Sequence, residues 1–95
     1  MPILHIEHAI SDFEVWQQAF KRFDGVRQQA GVRRHHVRRP IDDPQYVVID
    51  LDFDTVEQAE GFRSFLHENV WSSSAGSPAL VGSPETKILQ SAMSG

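Results

Sequence analysis

Residues 45–53, QYVVIDLDF, alternate without a break: Val47, Ile49, Leu51 and Phe53 share one parity, and Tyr46, Val48, Asp50 and Asp52 share the other. Side chains of a strand project to opposite faces with period two, so this segment is a strand with one apolar and one mixed face. The apolar face must be covered by something else in the chain. That requirement shapes the reading of everything around it.

Residues 2–10, PILHIEHAI, are rich in isoleucine, alternate loosely and read as a strand. Ser11 then offers a helix cap, with Glu14 three residues on to reach back to it. Phe13, Trp16, Phe20 and Phe23 follow at spacings of 3, 4 and 3, with Ala19 beside them, which is one apolar stripe on a helix. Asp24-Gly25 weakens that helix, and Val26 to Ala30 adds a last turn before Gly31, a C-terminal cap. Residues 32–39 form a second strand, and Pro40 to Pro44 (PIDDP) turn it into the alternating strand as a hairpin. Asp54, with Glu57 three residues later, is expected to cap a second helix carrying Val56, Ala59, Phe62, Phe65, Leu66 and Val70 on one stripe. Gly61 within it points to close packing. Residues 71–84 read as a long loop with a short turn near Pro78 to Val81, residues 86–92 as a last strand, and residues 93–95 as a frayed end.

Strand, helix, strand, strand, helix, strand is the split βαβ order of an α+β, ferredoxin-like βαββαβ antiparallel sheet with both helices on one face. We read residues 1–95 as a single domain. A chain this short buries only about 60–65% of its unfolded surface, so it gains from a partner subunit.

The chain carries 9 basic and 13 acidic residues, and four of the basic ones are packed into RRHHVRRP at 33–40. The rest of the sequence is strongly acidic. Duplex binding needs positive charge spread over a whole face, because affinity grows with each phosphate neutralised, so nucleic acid is not an expected partner. No apolar run approaches the roughly 18 residues of a membrane helix, and no signal peptide is expected. No membrane partner follows, and a cytoplasmic location is the default. The sequence contains no cysteine, which removes disulfides and thiolate metal sites.

Two helices cover one face of the sheet. On the other, His5 and Glu7 are expected to join Tyr46, Val48, Asp50 and Asp52, a mixture suited to the wall of a cavity. At this point the sequence resembles the dimeric α+β barrel superfamily, nearest its antibiotic-biosynthesis-monooxygenase-like and cyclase-like small proteins. The marks are His8 at the end of the first strand followed by Asp12, Phe13 and Trp16, the turn Asp42-Asp43-Pro44, the strand ending Phe53-Asp54, and Pro84-Glu85 before the last strand. The resemblance spans nearly the whole chain. It implies a homodimer whose sheets meet on their uncovered faces, with a small-molecule pocket kept between sheet and helices in each subunit. It also implies oxygenation or cyclisation of an aromatic or polyketide-type substrate without a cofactor. The haem-degrading branch relies on an Asn, a Trp and a His. Here the only asparagine is Asn69, and no histidine follows Trp71.

Adjacent residues on a strand face opposite ways, so His35 and His36 cannot hold one metal from one side. We expect Arg34, His36 and Arg38 on one face, Arg33, His35, Val37 and Arg39 on the other, and a bulge near the double histidine, since Val32 has the opposite parity to Val37. The arginines are expected to pair with Asp50, Asp52 or a partner's acids. His5 and His8, with Glu7 between them, are read onto one face of the first strand as the one local spacing suited to a metal, although no metal site is assigned. For catalysis the candidates are His8 and His36 as proton acceptor and Arg34 as stabiliser of a developing oxyanion. His5, Tyr46, Asp50, Asp52 and Trp71 are the candidate substrate-binding residues. His67 is read as a cation near a helix C-terminus. The alternative is a non-catalytic homodimer that binds a ligand or a partner protein.

Overall fold

The computed structural model describes residues 1–93; the expected fraying of residues 94 and 95 lies outside them. The elements are β1 (Ile3–Ile10), α1 (Phe13–Arg22), α2 (Asp24–Ala30), β2 (Arg34–Arg38), β3 (Tyr46–Asp52), α3 (Val56–Phe65), a π-helical turn (Leu66–Val70) and β4 (Leu80–Leu89). The strands form one sheet in the order β2-β3-β1-β4, with every neighbouring pair antiparallel.

The alternation of β3 does what its sequence demands. Val47, Ile49 and Leu51 are buried, and their ladder partners on β1 are His8, Ile6 and Leu4, buried with them. Trp16 from α1, and Ala59 and Phe62 from α3, close over this face and complete one core with Phe53. The opposite parity, Tyr46, Val48, Asp50 and Asp52, has no helix above it and is only partly buried.

Several boundaries differ from the sequence reading, each for a local reason. The cap of α1 is Asp12, whose Oδ1 accepts from the Val15 amide at 3.2 Å. Ser11 is held elsewhere: its amide donates to the Ala79 carbonyl and its carbonyl accepts from Gln45 Nε2. The cap of α3 is Thr55, whose hydroxyl accepts from the Gln58 amide at 3.1 Å while Gln58 Oε1 accepts back from the Thr55 amide at 3.3 Å. Asp54 is taken by Arg33, which donates to it from Nε at 3.0 Å and from its terminal nitrogen at 2.6 Å. Gly61 faces open space, so close packing does not account for it. Gly31 does cap α2, in the left-handed region at φ 99°.

No bulge interrupts β2. Its ladder with β3 runs regularly from Arg34 opposite Asp52 to Arg38 opposite Val48, and Val32 lies before the strand begins. The irregularity is on the other side of β1, where the pairing with β4 shifts between Glu7 and Ala9. Val81 pairs with Ala9 and Glu85 with Glu7, so residues 82–84 of β4 bow out opposite His8 alone. Gly82, at φ 73°, and Pro84 are there for that bow, which is why a segment that reads as loop belongs to the strand. The true loop is residues 71–79.

Candidate functional site

The candidate residues fall into two groups on opposite faces of the sheet. His8 and Trp71 come together on the helix side, where they line a cavity of about 80 Å³ with Ile6, Trp16, Phe20 and Arg27. His5, Tyr46, Asp50, Asp52 and Arg34 lie on the uncovered face, where His36 stands opposite Asp50 in the ladder. His8 therefore does not share a pocket with Arg34.

His5 and His8 are three residues apart, an odd separation, so they project to opposite faces rather than to one. Among the described residues, no group of three or more His, Asp or Glu side chains is arranged to hold a metal ion.

His8 is 5% exposed. Its Nδ1 lies 2.9 Å from the Ala9 carbonyl oxygen. A carbonyl can only accept, so Nδ1 carries the proton and Nε2 keeps a lone pair. Burial pushes the imidazole pKa down, against a smaller opposing effect of the Ala9 hydrogen bond. The ring is thus held neutral, with the Nε2 lone pair available, at an apolar cavity. Its other walls are aliphatic and aromatic, and among the latter Trp16 stacks on Phe20 with ring centroids 5.0 Å apart. Trp71 closes the π turn, donating its amide to the Leu66 carbonyl at 2.7 Å, and its ring meets His67 edge-on at 4.9 Å. His67, read as a helix-end cation, stands against the Trp71 ring as a prop.

On the uncovered face a chain of polar contacts crosses three strands. Arg38 donates to Asp50 Oδ2 at 3.2 Å. His5 Nδ1 lies 2.7 Å from Asp50 Oδ1, and its Nε2 lies 2.8 Å from Glu7 Oε2. Tyr46 donates to Glu7 Oε1 at 2.7 Å. Arg34 stands 3.3 Å from Asp52. Ionised carboxylates only accept, so the doubly protonated imidazolium is the form of His5 that satisfies both contacts. The hydrogen bond to Glu7 raises its pKa most, burial opposes, and Asp50 raises it further. The same contact lowers Glu7, and donation to Glu7 pushes Tyr46 up to about 12.

His5 gives this face a pH dependence. A pKa raised above the unfolded value of 6.5 adds stability that is fully present below that value and is lost as pH rises through the folded value. Glu7 and Tyr46 titrate well outside this window. His8, whose lowered pKa acts in the opposite sense, is common to wild type and variant, so the melting temperature of the wild type relative to His5→Gln should fall by a few degrees between about pH 6 and pH 9. Parallel wild-type and variant curves would show that the network contributes nothing.

The basic stretch is accounted for by these contacts. Arg33, Arg34 and Arg38 each stand within ion-pair distance of an acid of the same chain, Asp54, Asp52 and Asp50. Arg39 stacks 4.1 Å above the Phe13 ring. Among the described residues, no helix is long and apolar enough to cross a membrane.

Sequence reasoning missed Arg27. It sits three residues after Asp24, a spacing that reads as an ordinary surface ion pair. Nothing in VRQQA marks it as buried, yet it is 5% exposed.

No protein-family model matches the sequence, and no curated protein matches it. Solved structures do match in fold. A candidate antibiotic biosynthesis monooxygenase from Nitrosomonas europaea superposes with a TM-score of 0.70 at 14% identity, covering 96% of this chain and 89% of its own. A dimeric ferredoxin-like protein from an uncultured marine organism gives 0.69 at 13% identity, covering 98% and 97%. An uncharacterized NIPSNAP domain protein from Burkholderia xenovorans gives 0.63 at 17% identity, covering 97% and 95%. At these identities the shared property is the ferredoxin-like α+β fold.

Proposed function

We propose that this chain is a small-molecule enzyme, monooxygenase-like or cyclase-like and independent of a cofactor, that works as a homodimer on an aromatic or polyketide-type substrate. The observation that carries the reading is His8: a buried, neutral imidazole with a free lone pair at the wall of an apolar cavity. Such a group accepts a proton from a phenolic or enolisable substrate near neutral pH. The anion it generates is electron-rich, which is what either attack on oxygen or ring closure requires. Trp71, Trp16 and Phe20 offer flat surfaces on which an aromatic substrate stacks.

Dimerisation through the uncovered face is supported by its content. Val48, Val81 and Leu89 lie there among the paired charges of Asp50, Arg38 and His5, and one solved neighbour in fold is described as dimeric. In this arrangement Arg34 stands at the seam, and His36 also borders an open hollow of its own chain with Phe13, Trp16 and Phe20. A second reading, a non-catalytic dimer that binds a small ligand, is favoured by the cavity volume of about 80 Å³, well below the roughly 300 Å³ at which drug-sized pockets begin.

The test is native mass spectrometry of the freshly purified protein, followed by incubation in air with the small molecule it carries. A dimer bearing a phenolic or enolic compound is expected. The wild type should convert that compound, and His8→Gln should do so about 100-fold or more slowly. A ligand-free monomer, or equal turnover by His8→Gln, sinks the proposal. A bound compound that is never converted selects the non-catalytic reading.

A further inference from the structure

We infer that Arg27 is the anion-binding residue of the cavity, and that the molecule it receives is a small acid: a compact apolar body carrying one anionic oxygen, as carboxylate, phenolate or enolate. The inference rests on the cavity being the functional site and adds to it the charge of the ligand.

Arg27 projects from α2 back beneath α1. One terminal nitrogen donates to the Phe20 carbonyl at 2.7 Å. The other is 3.5 Å from Asp24, whose own side chain is largely exposed. The guanidinium carbon lies 3.6 Å above the Phe20 ring. The Nε is fully buried and finds no partner among the described residues. A guanidinium presents five N–H donors and cannot be deprotonated under ordinary conditions. Here one donor reaches a carbonyl, and the one acid in ion-pair range among the described residues, Asp24, meets the guanidinium at 3.5 Å from a largely exposed side chain. Burying a cation so poorly matched is costly, and native proteins rarely leave one in that state without a use.

The surroundings say which use. The chain carries 13 acidic residues, yet neither Asp nor Glu is among the residues that line the cavity. Its polar side chains are the Arg27 cation, the neutral His8 imidazole, the indoles of Trp16 and Trp71, and the Ser77 hydroxyl, which is already donated to the Val70 carbonyl at 3.0 Å. An apolar chamber with one positive charge, balanced only from outside by the exposed Asp24, is complementary to an apolar anion, because low polarity strengthens the attraction between fixed opposite charges. The fork geometry of arginine matches the two oxygens of a carboxylate. A cavity of about 80 Å³ is smaller than the roughly 150 Å³ that accepts benzene, so the body is compact or the 71–79 loop yields to admit it. Beside His8, the cation would hold the product of proton transfer as well as its precursor, favouring the anionic form.

An Arg27 that merely ties α2 to the Phe20 carbonyl would not distinguish an acid from its amide. The experiment uses that difference. Acetate, isobutyrate and benzoate, each paired with its neutral amide, are titrated into the intact protein while the His8 ring and Arg27 Nε–H signals are followed by NMR. At least one acid is expected to shift both signals and to bind tenfold or more tightly than its amide. Arg27→Met should erase that preference, and Arg27→Lys, which keeps the charge, should retain part of it. Should Arg27→Met fail to fold, the wild-type comparison together with Arg27→Lys decides the matter. Amides that bind as well as acids, or a preference that survives Arg27→Met, overturn the inference while leaving the cavity as a binding site. Six compounds that all leave His8 unmoved overturn both.

Discussion

Phe53→Ala should remove a large share of the domain's folding stability, about 3–5 kcal/mol. Phe53 closes the alternating strand and is completely buried, its ring centroid 5.9 Å from that of Phe62 on α3. Its amide also donates to the Pro2 carbonyl at 2.9 Å, so the ring sits where the start of β1, the end of β3 and α3 converge. Emptying such a site loses the transfer free energy of the ring and leaves a cavity that the sheet is too stiff to close, at a cost of about 3–5 kcal/mol. A small domain commonly has only about 5–15 kcal/mol in total. Urea denaturation of wild type and variant measures the difference directly. Ile41→Ala, at a fully exposed residue of the β2–β3 turn, is the control expected to change nothing. A loss below about 1 kcal/mol for Phe53→Ala would mean that the core is not organised around this corner.

Val48→Asp should convert the proposed dimer into monomers. Val48 is the apolar centre of the uncovered face, with Glu7 beside it on β1 and Arg38 beside it on β2. A carboxylate placed there joins Glu7 and Asp50 on each subunit and adds negative charge to the seam of a face-to-face dimer. Like charges brought together out of water cost several kcal/mol, so the dissociation constant should rise about 100-fold or more. Sedimentation velocity over a concentration series reads this, and Val48→Ala should shift it far less. Val48 is not in the core, so Val48→Asp should keep its helical and strand content while losing its partner. If Val48→Asp remains a dimer as tight as the wild type, the subunits associate through another surface.

The fold was legible because its strongest signal, the β3 alternation, is also its physical centre. Leu4, Ile6 and the aromatic stripe of α1 followed from the same periodicities. The errors arose where two neighbours compete for one role: Ser11 and Asp12, or Asp54 and Thr55, are equally good caps on paper. Contacts far away in sequence, with Ala79 and Arg33, decide between them. Gly82 and Pro84 misled for a related reason, since a strand bulge draws on the same residues as a loop. The site was half legible. His8, Trp71 and the His5–Asp50 pairing could be found by parity and position, although the odd separation of His5 and His8 was itself enough to part them. Arg27 could not, because burial of a charged helix residue depends on how two helices meet, and no local pattern encodes that.

The π turn has a consequence for the cavity. A regular helix advances about 100° per residue, so each added residue rotates everything after it by that angle. By donating five residues back, from Trp71 to Leu66, the chain absorbs one residue more than an α-helix would. The turn thus works as a phase adjuster between α3, whose orientation is dictated by Phe62 in the core, and Trp71, whose orientation shapes the chamber. The aim of the aromatic wall is thereby decoupled from the packing of the helix that carries it. A lineage could shorten or lengthen these five residues to redirect Trp71 while leaving the Phe53–Phe62 corner untouched.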